Sequence, residues 1–140
     1  MSELSVVLDT NIIIFGLRSR NGASFQILKN IGVGRFKIHL SVPLLLEYEA
    51  VLKRNIDVLG LKLSDIDDFL NYLCSTAELH EIFYLWRPLL SDSKDDMVLE
   101  LAVVSNADYL ITYNKADFKN SHLFGIKVID GREFIRELNL

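Results

Sequence analysis

Short apolar runs alternate along this chain with segments of helical periodicity, and that alternation restricts the fold more than any other feature. Leu4–Leu8 opens the series. Val6, Val7 and Leu8 are apolar without interruption, as in a strand buried on both faces. Further strands are expected at Phe36–Leu40, Glu81–Leu85, Tyr109–Thr112 and Ile126–Ile129. Between them, Ile12–Leu17 supports one or two helical turns. Ala23–Ile31 places Ala23, Ile27 and Ile31 at four-residue intervals, with Gly32 and Gly34 to end the helix. Ser41 and Pro43 open another helix, since proline is tolerated in a first turn. Ser64 reads as an N-cap answered by Asp67, ahead of a stripe of Ile66, Phe69, Leu70 and Leu73. Ser93 and Asp96 repeat that pattern before Val98–Val103, and Gly131–Leu138 closes the chain as a helix. The order β-α-β-α-α-β-α-β-β-α implies a three-layer α/β/α sandwich around a mostly parallel sheet of four to five strands. With no repeat and no linker, residues 1–140 read as a single domain.

Half of the 140 residues are hydrophobic, enough to bury a core without disulfides. The single cysteine, Cys74, excludes an internal disulfide framework and fits a reducing compartment. The start Met1-Ser2-Glu3-Leu4 lacks the basic region of a signal peptide, and no uncharged apolar stretch nears the ~20 residues of a membrane span. A cytoplasmic protein is the expectation. The net charge of −4 argues against a broad electrostatic nucleic-acid binder. It leaves room for a nuclease whose carboxylates hold cations, because bound ions restore positive potential locally. His39, His80 and His122 are scattered without metal-ligand spacing and read as structural or surface residues. With one cysteine, a zinc cluster is not expected.

The acids are better placed. Asp9 ends the first strand, and capping the next helix is the bland reading of it. Glu47 and Glu49 lie early in the helix after the second strand, on opposite flanks of an apolar face centred on Tyr48, so periodicity alone does not choose between them. Asp95 falls in the first turn of the helix leading to the fourth strand, and Asn114 and Asp117 follow that strand. In a parallel sheet these positions share one edge, where strands end and helices begin. Carboxylates converging there repel one another unless protonated or bridged by cations, and an all-oxygen set suits Mg²⁺ or Mn²⁺.

At this point the chain resembles a known family. Val7-Leu8-Asp9-Thr10-Asn11 looks like the opening of a PIN domain, the ribonuclease fold of the VapC-like toxins. Ser41-Val42-Pro43-Leu44-Leu45-Leu46-Glu47-Tyr48 is similar to the family's second motif, which selects Glu47 over Glu49. Asp92-Ser93-Lys94-Asp95-Asp96, followed by Ala107-Asp108-Tyr109-Leu110-Ile111-Thr112, is similar to the third, which gives Asp95 the chemistry and leaves Asp96 as a helix-start acid. One departure stands out: where many members carry a fourth acid just after the fourth strand, this chain has Asn114, with Asp117 three residues later.

The resemblance implies a ribonuclease, the toxin of a toxin–antitoxin pair, with Asp9, Glu47 and Asp95 as catalytic metal ligands and Asn114 or Asp117 as the fourth. Thr10, Asn11 and Thr112 would orient the ligands, and Arg18, Arg20, Lys94 and Lys115 would meet phosphates. It also implies a small antitoxin over the active edge, lending an Arg or Lys to the acids, and a homodimer formed through the helices near residues 44–73. Two rivals remain at this stage. An aspartyl phosphotransferase or phosphatase would use Asp9 as nucleophile, but Asn11 stands where its second acid is wanted. A degenerate, non-catalytic RNA- or protein-binding module would not need Asp9, Glu47 and Asp95 together.

Overall fold

The computed structural model describes residues 3–81, 93–118 and 121–140. Its strands are β1 (Leu4–Leu8), β2 (Phe36–Ser41), β3 (Glu78–His80), β4 (Tyr109–Ile111) and β5 (Lys127–Ile129). They form one five-stranded sheet in the order β3-β2-β1-β4-β5, with every pair parallel. The apolar run of β1 therefore takes the centre: Val6, Val7 and Leu8 are at most 1% exposed. Val6 lies opposite Ile38 on one side and Tyr109 on the other, and Leu8 lies opposite Ile111. The sheet runs outward from β1 in both directions, so the gap between β1 and β4 is the switch point where open α/β sheets place their ligands.

Helices α1 (Thr10–Arg18), α2 (Ala23–Lys29), α3 (Val42–Arg54), α4 (Ile56–Leu59), α5 (Leu63–Thr76), α6 (Ser93–Ser105) and α7 (Gly131–Glu137) complete the three-layer α/β/α sandwich. Helix α6 packs against β1, β2, β3 and β4 and also touches α3, so every residue from 96 to 102 is buried. Such all-round burial is what a helix with apolar residues on every side requires. Helix α2 packs against α1 and α7, and α3 against α1 and α5. Among the described residues, no helix is long and apolar enough to cross a membrane.

The approach of α1 to α2 is set by Gly16, which is buried. A Cβ there would meet Leu28 Cδ1 at 2.4 Å and the Ser24 carbonyl oxygen at 3.0 Å. Gly16→Val is expected to cost about 1–3 kcal/mol through overpacking. Urea unfolding followed by circular dichroism measures this, and an unchanged midpoint would show that the two helices have room to part.

Three local expectations are corrected, and one element is new. The third strand is Glu78–His80, not the more apolar Glu81–Leu85: pairing with His39–Ser41 of β2 defines it, and Glu81 lies beyond it. Residues 82–85 and Trp86 lie outside the described residues. Helix α5 begins at Leu63, which puts Asp65 at its third position, where the carboxylate reaches back to the Lys62 N–H at 2.8 Å. Asp65, not Asp67, is thus the acid of that cap, and Ser64 lies inside the helix. Helix α6 starts at Ser93, so Ser93 holds its first position instead of preceding it. The single turn α4, stopped by Gly60 at φ +67°, was not expected at all.

Candidate metal centre

Asp9 stands where β1 becomes α1. Its extended backbone and its place before Thr10 make it the N-cap residue, so the bland reading holds as far as it goes. The Asp9 N–H donates to the Ile111 carbonyl at 2.9 Å, tying the end of β1 to the end of β4. Its Oδ1 accepts from the Thr10 N–H at 2.8 Å; its Oδ2 accepts from the Thr112 hydroxyl at 2.7 Å and the Asn11 amide at 3.3 Å. A carboxylate offers about four acceptor positions, so these three bonds hold the group in one orientation and leave one position for a cation.

The bracing extends further. Asn11 donates to Thr112 Oγ1 at 3.2 Å and accepts from the Tyr113 N–H at 3.2 Å, while the Asn114 N–H donates to Thr112 Oγ1 at 3.0 Å. The fully buried Tyr48 hydroxyl donates to the Leu8 carbonyl just before Asp9. Periodicity identified Tyr48 as core but not as a polar anchor, because a hydroxyl's partner forty residues away leaves no mark in local sequence.

A cleft of about 240 Å³ opens beside Asp9. The β1–α1 junction lines it with Asp9, Thr10 and Asn11, α3 with Glu47, and α6 with Asp95 and Val98. Asn114 and Asp117 both line it from the far side of β4. Asp117 rides on a 3-10 turn, Lys115–Phe118, anchored by the buried Phe118. Glu49 pairs instead with Lys53 at 3.3 Å, one turn along α3. Asp96, beside Asp95 in the first turn of α6, is nearly fully buried. All the potential ligand atoms of the cleft are oxygens, and four of the side chains are carboxylates, which fits a hard divalent cation.

Burial pushes the Asp9 carboxyl above its usual range, and the charges of Asp117 and Glu47 push the same way; the bonds from Thr112 and Thr10 oppose them. The native state therefore holds the Asp9 proton more tightly than the unfolded chain does. In chelator, this group costs stability as pH rises from its unfolded value through its raised folded value, and Asp9→Asn escapes that cost. The stability of Asp9→Asn relative to wild type is expected to increase between pH 4 and pH 7. Denaturant titrations in EDTA at both pH values test this; a pH-independent difference would contradict the raised value.

The expected cations disperse. Arg18 lines a neighbouring groove with Phe15, Ser24 and Tyr113, in which the Phe15 and Tyr113 rings meet edge to face at 5.4 Å. Arg20 is exposed. Lys115 forms an ion pair with Glu133 of α7. The Lys94 side chain lies outside the described residues. Two of the three histidines are not scattered in space: pairing of β2 with β3 brings His39 Nδ1 within 2.8 Å of His80 Nε2. Burial, and then His80, holds the His39 imidazole below its usual range. His122 is exposed.

This is a parallel α/β domain with carboxylates gathered at its switch point, and comparison with protein families gives its class a name. Residues 5–116 match the PIN domain, and the chain belongs to that family. Two solved structures share the fold at 16% sequence identity. One is VapBC2 from Rickettsia felis bound to a DNA fragment from its promoter, with a TM-score of 0.61, 91% of this chain covered and 98% of the other. The second is VapBC-1 from nontypeable Haemophilus influenzae, with a TM-score of 0.59 and coverages of 92% and 99%. No curated protein matches the sequence.

Proposed function

We propose that this PIN domain is a Mg²⁺- or Mn²⁺-dependent endoribonuclease acting in the cytoplasm as the toxin of a toxin–antitoxin pair. The observation that carries the reading is the cleft: a buried, thrice-bonded Asp9 sharing one small space with Glu47, Asp95 and Asp117. Asp9, Glu47 and Asp95 would hold the ion, with Asp117 the better-charged candidate and Asn114 the neutral one for completing the set. When bound, a divalent ion supplies Lewis-acid activation of water and charge stabilisation of the phosphodiester.

The chain's own residues do the rest. Thr112, Asn11 and the Thr10 N–H fix the Asp9 carboxylate, so little ordering is left for the moment of binding. Without cations, the cleft repels the phosphate backbone, which makes RNA binding and ion binding interdependent. Beside the cleft, the partly exposed Phe15 and Tyr113 offer faces on which an unpaired base can stack, with Arg18 in the same groove. An aspartyl nucleophile is disfavoured because Asn11 stands where its acid/base partner is wanted, and the Asn11 amide donates to Asp9 and Thr112 instead.

Both similar structures are of VapBC proteins, which supports a small antitoxin as partner. Val42 and Leu46 on α3, Val58 on α4 and Leu63 on α5 are large, apolar and exposed, which supports the homodimer interface placed on these helices. The test is incubation of the purified protein with a mixed RNA pool. Cleavage is expected with Mn²⁺ or Mg²⁺, to disappear with EDTA and to return on adding Mn²⁺ in excess. Cleavage that persists in EDTA, or none under any condition, would overturn the reading.

A further inference from the structure

The fold builds a second constellation of metal-ligating atoms, away from the acidic cleft. His39 and Glu78 lie opposite each other in the register of β2 and β3, and His80 follows Glu78 by two residues. Side chains alternate along a strand with a period of two, so all three stand on the same face of the sheet. The His39 and His80 nitrogens are 2.8 Å apart, and Glu78 Oε1 is 4.0 Å from His80 Nε2. One ligand atom from each residue falls within 4.8 Å of the other two. None of the three lines the acidic cleft.

We infer that His39, Glu78 and His80 form a binding site for a borderline divalent transition ion, Zn²⁺ in the first instance. Two imidazoles and a carboxylate are a ligand set that zinc accepts in proteins, with a fourth position left to water. Mg²⁺ is a poor fit because it prefers oxygen ligands alone. Two nitrogens on one tetrahedral zinc stand about 3.3 Å apart, given Zn–N bonds of about 2.0–2.1 Å. The rings need part by only about half an ångström, each carrying its proton on its outer nitrogen. His39 is buried to 4% exposure, and its Nε2 has no hydrogen-bond partner among the described residues, so the ring's single polar contact is the one directed at the site. Lys37 holds Glu78 Oε2 at 3.3 Å, which leaves Oε1 toward His80. A bound ion would pin the three-residue edge strand β3 to β2, the one strand it is hydrogen-bonded to in the sheet.

The test uses the full chain carrying Asp9→Asn and Asp95→Asn, so that the cleft contributes little binding. It is stripped with EDTA, dialysed, and titrated with ZnCl₂ by calorimetry and with CoCl₂ by visible absorption. One ion per chain is expected, with the strong d–d bands of tetrahedral cobalt. Further replacement by His80→Gln or Glu78→Gln is expected to weaken uptake at least about tenfold. Both positions are on the edge strand, and far-UV circular dichroism verifies that the variants fold. Absence of zinc uptake by the parent chain, or equal uptake by all three chains, would overturn the assignment.

Discussion

Asp9→Asn is expected to abolish metal-dependent RNA cleavage while leaving the fold intact. A bound ion contributes several kcal/mol to the transition state, and each 1.4 kcal/mol is worth a factor of ten, so the loss is about a thousandfold. Asparagine is nearly isosteric with aspartate and is an equally good N-cap, so α1 keeps its start. The measurement is the initial cleavage rate in Mn²⁺ beside a Mn²⁺ titration of both chains. Full activity in Asp9→Asn would remove this residue from the chemistry. Loss of activity with unchanged ion uptake would move the metal elsewhere.

Thr112→Val has the second-largest expected effect, and it acts through another residue. The Thr112 hydroxyl is fully buried; it donates to Asp9 and accepts from the Asn114 N–H and the Asn11 amide. Valine has the same shape without those bonds. Leaving their partners unsatisfied is expected to cost about 1–3 kcal/mol of stability. Ion affinity should fall about 10–100-fold, as when other groups that orient ligands are removed. Because the ligands themselves remain, Mn²⁺ in large excess should restore most of the cleavage rate, which it cannot do for Asp9→Asn. A Thr112→Ser variant, which keeps the hydroxyl, should retain wild-type affinity. If Thr112→Val binds Mn²⁺ as tightly as wild type, the hydroxyl is a packing feature only.

The two electrostatic predictions are linked. The raised proton affinity of Asp9 and its proposed hold on a cation share one cause: a carboxylate taken out of water beside Asp117 and Glu47. Replacing that carboxylate by an amide should remove the pH-dependent penalty from the ion-free protein and disable it together.

Much of the central sheet is legible in the chain. Strand β1 spans Leu4–Leu8 as read, its apolar run Val6–Leu8 stopped by Asp9, and Ser41 caps α3 as read, its hydroxyl accepting from the Leu44 N–H at 3.3 Å. Strand β3 was not legible: Glu78-Leu79-His80 has no apolar run and is too short for its alternation to mark a strand, and pairing with the edge of β2 defines it. Glu47 and Glu49 were symmetric about Tyr48, and family resemblance alone chose between them. In the fold, Glu47 lines the cleft and Glu49 pairs with Lys53. Lys115 looked free for phosphate because Glu133 lies eighteen residues on, in a helix whose position the sequence does not state.

By itself the chain determined the class of fold, the burial of β1 on both faces and the acidic residue types that fall where strands end and helices begin. These follow from local pattern: buried strands need continuous apolar residues, and helices need a repeating apolar face. Tertiary structure alone decided which atoms meet. The bonds on Asp9 from Thr112, the joint lining of the cleft by Asn114 and Asp117, and the approach of His39 to His80 all depend on strand order. Strand order is a matter of contacts between residues far apart in sequence, and no single stretch of a chain carries that information.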